Sequence, residues 1–189
     1  MEAFLVSAGL VALAEMGDKT QLLSLVLAAR LRKPGAIIAG ILVATLANHT
    51  LAGGLGYLLA GWVPRGTMLW IVGLAFIAFG VWTLHPDSLN DNPKLHKAGA
   101  FVTTVIAFFL AEMADKTQLA TVALAARFET LWAVVLGTTV GMLLADAPAV
   151  WIGDKLAGRI PMQTVRLVAA IVFIAMGVLT LLGPVKELL

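Results

Sequence analysis

The chain has 189 residues, of which 60% are hydrophobic and only 13% are charged. Soluble domains carry about twice that charged fraction, so a soluble globular protein is excluded and an integral membrane protein is indicated. Cysteine is absent, which excludes disulfides, thiol catalysis and thiolate metal sites. The net charge of +2 is small and the basic residues form no block, so a nucleic-acid partner is not expected.

Six apolar segments follow one another along the chain, each close to or above the roughly 20 residues needed to cross a bilayer. They lie at 3–29, 36–61, 67–84, 99–126, 132–153 and 164–182. Proline and glycine stand in the short connections between them, where membrane helices end. The sequence therefore predicts an all-α integral membrane protein with six transmembrane helices, whose first partner is the lipid bilayer.

The two halves of the chain repeat one another. An offset of 97 residues, the spacing from Glu15 to Glu112, aligns 14–22 (AEMGDKTQL) with 111–119 (AEMADKTQL) without a gap. Self-similarity of this kind indicates a duplicated unit, here of three helices.

Each unit contains three spans, an odd number, so the second unit must enter the membrane in the opposite orientation. We expect a first three-helix repeat at 1–86, a cytoplasmic linker at 87–98 and a second, inverted repeat at 99–189. Placing both termini outside leaves most basic loop residues in the cytoplasm, as the positive-inside rule requires. The pseudo-twofold axis of inverted repeats would bring the two motif copies together near the middle of the bilayer.

Each repeat carries the same ionisable motif in its first span, at Glu15, Asp18 and Lys19 and at Glu112, Asp115 and Lys116. Helical spacing predicts that the two acids of a copy share one helix face, with the lysine one turn away. Each such group near the bilayer centre costs about 2.5 to 3.5 kcal/mol, so the groups must be compensated. Mutual neutralisation is one explanation. Four carboxylates and two ammonium groups nevertheless leave a formal charge of −2, which one divalent cation or two protons would cancel.

Uncharged oxygens lie beside the acids, on Thr20, Gln21, Thr117 and Gln118. Oxygen ligands suit hard cations such as Ca²⁺ and Mn²⁺. We therefore predict that the four acids, Gln21 and Gln118 bind a metal cation. The two threonines and the two lysines support the site, because an ammonium group cannot coordinate a cation. Protons and metal compete for the same carboxylate oxygens, and competition at a site that opens alternately to either side is exchange.

The two motif copies, one in the first span of each three-span half, resemble the Gdt family of cation/proton exchangers within the wider lysine-exporter superfamily. The resemblance covers essentially the whole chain. It implies a manganese or calcium exporter of the bacterial inner membrane, driven by proton influx, with the motif acids as ligands. Mn²⁺ or Ca²⁺ would then be the transported substrate, and no cofactor would be bound permanently.

The first and fourth segments are longer than a bilayer requires. Each would measure about 40 Å as a straight helix, so both should tilt or break near the motif, and Gly17 is the predicted position of a break. The second motif copy has Ala114 where the first has Gly17. A kink that depends on glycine is therefore expected only in the first half.

Three further polar residues are predicted deep in the membrane: Asn48 and His49 in the second span and Asp146 in the fifth. The 97-residue offset pairs His49 with Asp146. An acid inside a membrane is functional by default, so Asp146 is expected to touch the ion or proton path. His49 is either a proton relay or a packing residue.

Two other classes of function can be compared with cation exchange. An intramembrane hydrolase would need an activated nucleophile, and none of Ser7, Ser24 and Ser88 has an obvious activating arrangement. An enzyme is therefore not expected. A carrier for a small organic cation or amino acid would need aromatic or bulky lining, whereas the motif neighbours are mostly Ala, Leu, Val and Met. The sequence favours a proton-coupled divalent-cation exporter, with the organic-cation carrier as the alternative.

Overall fold

The computed structural model describes residues 1–85, 99–113, 115–156 and 162–188, and every secondary-structure element within them is an α-helix. The predicted linker at 87–98 lies outside the described residues. The all-α class is confirmed for the described part of the chain. Its helices are α1 (Glu2–Glu15), α2 (Lys19–Leu31), α3 (Pro34–Trp62), α4 (Arg65–Thr83), α5 (Ala100–Glu112), α6 (Lys116–Phe128), α7 (Leu131–Leu156) and α8 (Met162–Leu188).

The helices fall into long and short ones. Within the described ranges, three are long and apolar enough to cross a bilayer: α3, α4 and the Leu131–Trp151 part of α7. Shorter apolar stretches form α5 and the Arg166–Leu182 part of α8. Helices α1, α2, α5 and α6 have 13 or 14 residues each, about 20 Å, which is too short to cross a core of about 30 Å. The apolar helices support a membrane protein.

The helix is interrupted at the first motif, which separates α1 from α2. Helix α1 ends at Glu15 and α2 begins at Lys19. Between them Gly17 has a φ of +78°, a left-handed conformation that glycine adopts without steric cost. The predicted break at Gly17 is confirmed. The prediction that both acids of a motif copy share one helix face is wrong, because the helix ends between them.

The second half has the same break without a glycine. Helix α5 ends at Glu112, Met113 leaves it with an extended ψ of 122°, and α6 begins at Lys116. Asp115 precedes α6, and aspartate is a favoured residue at a helix start. The expectation that both long segments tilt or break near the motif is therefore confirmed, and the break in the second half does not depend on a glycine. Ala114 itself lies outside the described residues.

The helices of one half pack mainly against those of the other. Helix α1 packs along α7, α3 packs along α5 and α6, and α4 packs along α8. By contrast, α1 touches α2, and α2 touches α3, only slightly. The 97-residue offset carries α1 onto α5 and α3 onto α7. The contact between α1 and α7 therefore has its counterpart in the contact between α5 and α3.

Close backbone contacts exchange in the same way. A Cβ atom built on Gly80 would lie 2.9 Å from the carbonyl oxygen of Ala170, and one on Gly177 would lie 2.6 Å from that of Gly73. The 97-residue offset carries Gly80 onto Gly177 and Gly73 onto Ala170. Helices α4 and α8 therefore touch backbone to backbone, beside an apolar cluster that includes Phe76, Phe79 and Phe173.

Candidate cation site

The two helix breaks bring acids from both motif copies together. One carboxylate oxygen from each of Glu15, Glu112 and Asp115 lies within 4.8 Å of the other two. The residues are 0%, 0% and 5% exposed. We call these three residues the acid cluster. Sequence reasoning expected the two motif copies to meet, and the cluster contains one acid from the first half and two from the second.

Each glutamate of the acid cluster has one oxygen held and the other without a hydrogen-bond partner. The hydroxyl of Thr20 donates to Glu15 Oε2, and that of Thr117 donates to Glu112 Oε2 at 3.0 Å. The Oε1 atoms of both glutamates are buried and lack a hydrogen-bond partner among the described residues. Leaving a buried polar atom unpaired costs about 1 to 3 kcal/mol. A cation or a proton would satisfy these two oxygens.

Two ion pairs cross between the halves. Lys19 Nζ lies 2.8 Å from Asp115 Oδ1, and Lys116 Nζ lies 2.8 Å from Asp18 Oδ1. Helical spacing predicted each lysine one turn from the glutamate of its own copy, but the break removes that turn. Each lysine instead supplies a counter-charge to the aspartate of the other half.

The ends of the short helices stabilise charged groups at the two helix breaks: carboxylates at the N-terminal ends and cations at the C-terminal ends. Helices α2 and α6 begin directly after Asp18 and Asp115, where the positive end of the helix dipole stabilises a carboxylate. Helices α1 and α5 end at Glu15 and Glu112, so their last carbonyl groups carry partial negative charge there. Broken membrane helices use such carbonyl ends to attract cations.

The two glutamines predicted as ligands lie at the breaks in different environments. Gln21 is buried, its Oε1 accepts a hydrogen bond from the Gly17 N–H at 3.0 Å, and its Nε2 donates to the Ala145 carbonyl at 3.0 Å. Gln21 thus holds the first break against α7. Gln118 is half-buried on α6. A ligand role for either amide stays a prediction.

Asp146 lies on α7 close to the acid cluster. It is completely buried, and its Oδ1 accepts a hydrogen bond from the Ser24 hydroxyl at 3.2 Å. No residue of the described part of the chain forms a hydrogen bond with its Oδ2. The preceding residue on α7, Ala145, accepts a hydrogen bond from Gln21 at the first break. A fifth carboxylate is therefore available beside the four of the motifs.

Asn48 and His49 are also buried, on α3. Asn48 Nδ2 donates to the Phe109 carbonyl at 3.1 Å, which ties α3 to α5 near the second break. Both ring nitrogens of His49 lack a hydrogen-bond partner among the described residues. The imidazole is therefore a polar group that packing alone does not satisfy.

Arg166 is a neighbour of the first break that the motif pattern did not reveal. Its Nη2 donates to the Gly17 carbonyl at 3.0 Å. The 97-residue offset carries Leu69 onto Arg166, so this cation has no counterpart in the first half. A basic residue inside an apolar span of one repeat only is the sequence signal that could have indicated it.

Comparison with known proteins finds similarity along nearly the whole chain. The family model described as divalent cation/proton antiporter GDT1 matches residues 3–91 and again 100–187. A Vibrio cholerae protein named "Putative manganese exporter" is 46% identical over 181 residues, covering 95% of this chain and 90% of that protein. GDT1-like protein 5 of Arabidopsis thaliana is 29% identical over 224 residues, covering 98% and 97%. A GDT1-like protein of Synechocystis is 27% identical over 202 residues, covering 95% and 97%.

No solved structure matches the chain. The family model covers both halves separately, and the first of these relatives is similar along nearly its whole length. The resemblance carried by the two motif copies is confirmed, and so is a transport function rather than an enzymatic one. The chain belongs to the GDT1 family of divalent cation/proton antiporters.

Proposed function

We propose that the protein exports Mn²⁺ in exchange for protons, by alternating access at the acid cluster between the two helix breaks. The observation that carries this proposal is the approach of three carboxylate oxygens, from both halves, to within 4.8 Å of one another. Oxygen ligands accept Mn²⁺ and Ca²⁺ alike. Manganese in the name of the 46% identical relative favours Mn²⁺ over Ca²⁺ as the principal cargo.

The proposed ligands are Glu15, Asp18, Gln21, Glu112, Asp115 and Gln118, supported by Lys19, Thr20, Lys116, Thr117, Asn48, His49 and Asp146. The coupling of cation export to proton import follows from competition for the same carboxylate oxygens. The unpaired Oε1 atoms of the two glutamates accept either the cation or protons, so one displaces the other. Asp146, with an unpaired oxygen beside the cluster, offers a further place for a proton.

We further propose six spans arranged as two inverted repeats. Helices α1 and α2 would form one broken span and α5 and α6 another, while the remaining four helices form one span each. The exchange of contacts under the 97-residue offset supports this arrangement, as does the separate match of each half to the family model. The repeats would lie at 1–86 and 99–189, joined by a cytoplasmic linker at 87–98.

In the proposed topology both termini lie outside the cytoplasm. The proposed location is a bacterial inner membrane, which the similarity to a Vibrio protein supports. Alkaline phosphatase is active only outside the cytoplasm. If both termini lie outside, a fusion of this enzyme to either terminus should therefore be active. An inactive fusion at either end would contradict the topology.

Transport by the purified protein in liposomes tests the function. A metal-sensitive dye inside the vesicles should report Mn²⁺ movement that depends on an imposed proton gradient, compared with Ca²⁺ and Mg²⁺. Glu15→Gln and Glu112→Gln keep the side-chain shape but remove the charge, and both should abolish it. Glu2→Gln, the same change at an exposed residue, is the matched control. Unchanged rates in both cluster variants would refute the site.

A further inference from the structure

The two halves use their motif aspartates differently. The Thr117 hydroxyl donates to Glu112 and also reaches Asp115 Oδ2 at 3.3 Å, which draws these two acids together. Asp115 thereby completes the acid cluster with Glu112 and Glu15. Asp18, the counterpart of Asp115 in the first half, is not part of that cluster.

The lysines show the same difference between the halves. The side chain of Lys19, paired with Asp115, is 22% exposed, whereas that of Lys116, paired with Asp18, is 6% exposed. The less buried side of the site is therefore the side on which Asp115 completes the cluster. On the more buried side, the ammonium of Lys116 holds the remaining aspartate.

Two halves related by an axis in the membrane plane reverse the direction of opening when they exchange conformations. After that exchange Asp18 would hold the position that Asp115 has here. We propose that the two aspartates take turns as a cation ligand: Asp115 completes the site when it opens to one side of the membrane, and Asp18 completes it when it opens to the other. Glu15 and Glu112 bind the cation in both states. The inference rests on the proposed function.

The crossed ion pairs lower the free-energy cost of a buried aspartate that is not bound to the cation. A buried carboxylate that leaves its cation without a replacement would be strongly destabilising. Lys116 provides the replacement for Asp18 in the conformation described, at 2.8 Å. Lys19 already lies at the same distance from Asp115, so Asp115 would keep its counter-charge after it leaves the cation.

Vesicles that expose opposite faces of the membrane test the alternation. Right-side-out and everted membrane vesicles, loaded with Mn²⁺, give the half-saturating concentration of radioactive Mn²⁺ for counterflow at each face. Asp115→Asn should raise this concentration about tenfold or more at one face and less than about twofold at the other. Asp18→Asn should show the same difference with the faces reversed. Glu2→Gln should match the unsubstituted protein at both faces.

Removing one partner of a buried ion pair also destabilises the fold. The double variants Asp115→Asn with Lys19→Gln and Asp18→Asn with Lys116→Gln keep each pair neutral and should show the same opposed face preferences. Equal increases at both faces, or none at either face, would overturn the alternation. Absence of Mn²⁺ counterflow by the unsubstituted protein would instead refute the proposed function, and the inference with it.

Discussion

At the scale of single residues, Thr20 and Thr117 determine which oxygen of each proposed glutamate ligand has a hydrogen bond. Each hydroxyl donates to the Oε2 atom of the glutamate five residues earlier, and Oε1 has no hydrogen-bond partner in the described ranges. Groups that orient metal ligands in this way affect affinity nearly as strongly as the ligands themselves.

Replacing either threonine by valine, which has the same shape without the hydroxyl, should therefore raise the half-saturating Mn²⁺ concentration by about 10- to 100-fold. Vesicle transport measures the effect. Thr83→Val is the matched control, since the buried Thr83 hydroxyl donates to the Phe79 carbonyl within α4. An equal loss in the control would show that the effect is not specific to the site.

The buried ion pair between Lys116 and Asp18 should be visible in stability. Lys116→Gln leaves Asp18 without this counter-charge and should lower the free energy of unfolding by about 3 to 5 kcal/mol. Adding Asp18→Asn removes both charges and should recover most of the loss. Thermal unfolding in detergent measures both variants. A double variant no more stable than Lys116→Gln alone would exclude a favourable pair.

The duplicated motif allowed the residues of the site to be predicted, but not their pairing. Sequence spacing placed Lys19 beside Glu15, on the assumption of a continuous helix. In the structure the helix ends at Glu15 and Lys19 pairs with Asp115, 96 residues away. Contacts across a break depend on how two distant segments dock, and residue spacing carries no information about that.

At the scale of elements, the excess length of the first and fourth segments was the useful signal. A span about 27 residues long must tilt or break, and its costly acids indicated where. In the fourth segment the length predicted a tilt or a break but gave no position for it, because Ala114 stands where the first copy has Gly17. A good helix-forming residue is a weak prior that tertiary context overrides.

Gly17→Ala tests how much the first break depends on glycine. An L-residue at a φ of +78° costs about 1 to 2 kcal/mol, so we expect lower thermal stability by that amount. Gly9→Ala, in α1, is the control, because its Cβ would meet nothing within 4 Å and alanine favours the helix by about 0.5 to 1 kcal/mol. Equal stabilisation by both changes would contradict the strained break.

At the scale of the whole molecule, α4 and α8 hold the two halves together through direct backbone contact. Gly80→Ala and Gly177→Ala would each place a methyl group less than 3 Å from a carbonyl oxygen of the other helix. Such overpacking costs about 1 to 3 kcal/mol, and thermal unfolding should show similar losses for both. Gly54→Ala is the control, because its Cβ would have open space, and it should not lower the thermal stability of the protein. A loss of stability as large as in the other two variants would contradict the overpacking explanation.

The packing of each half against the other has a consequence during biosynthesis. When the ribosome has delivered only residues 1–85, α1 has no α7 and α4 has no α8 to pack against. Asp18 also lacks Lys116, its counter-charge in the finished fold. The nascent first half therefore lacks the packing partners and the counter-charge that it has in the finished fold. How quickly the second half is translated then determines how long the first half remains without them.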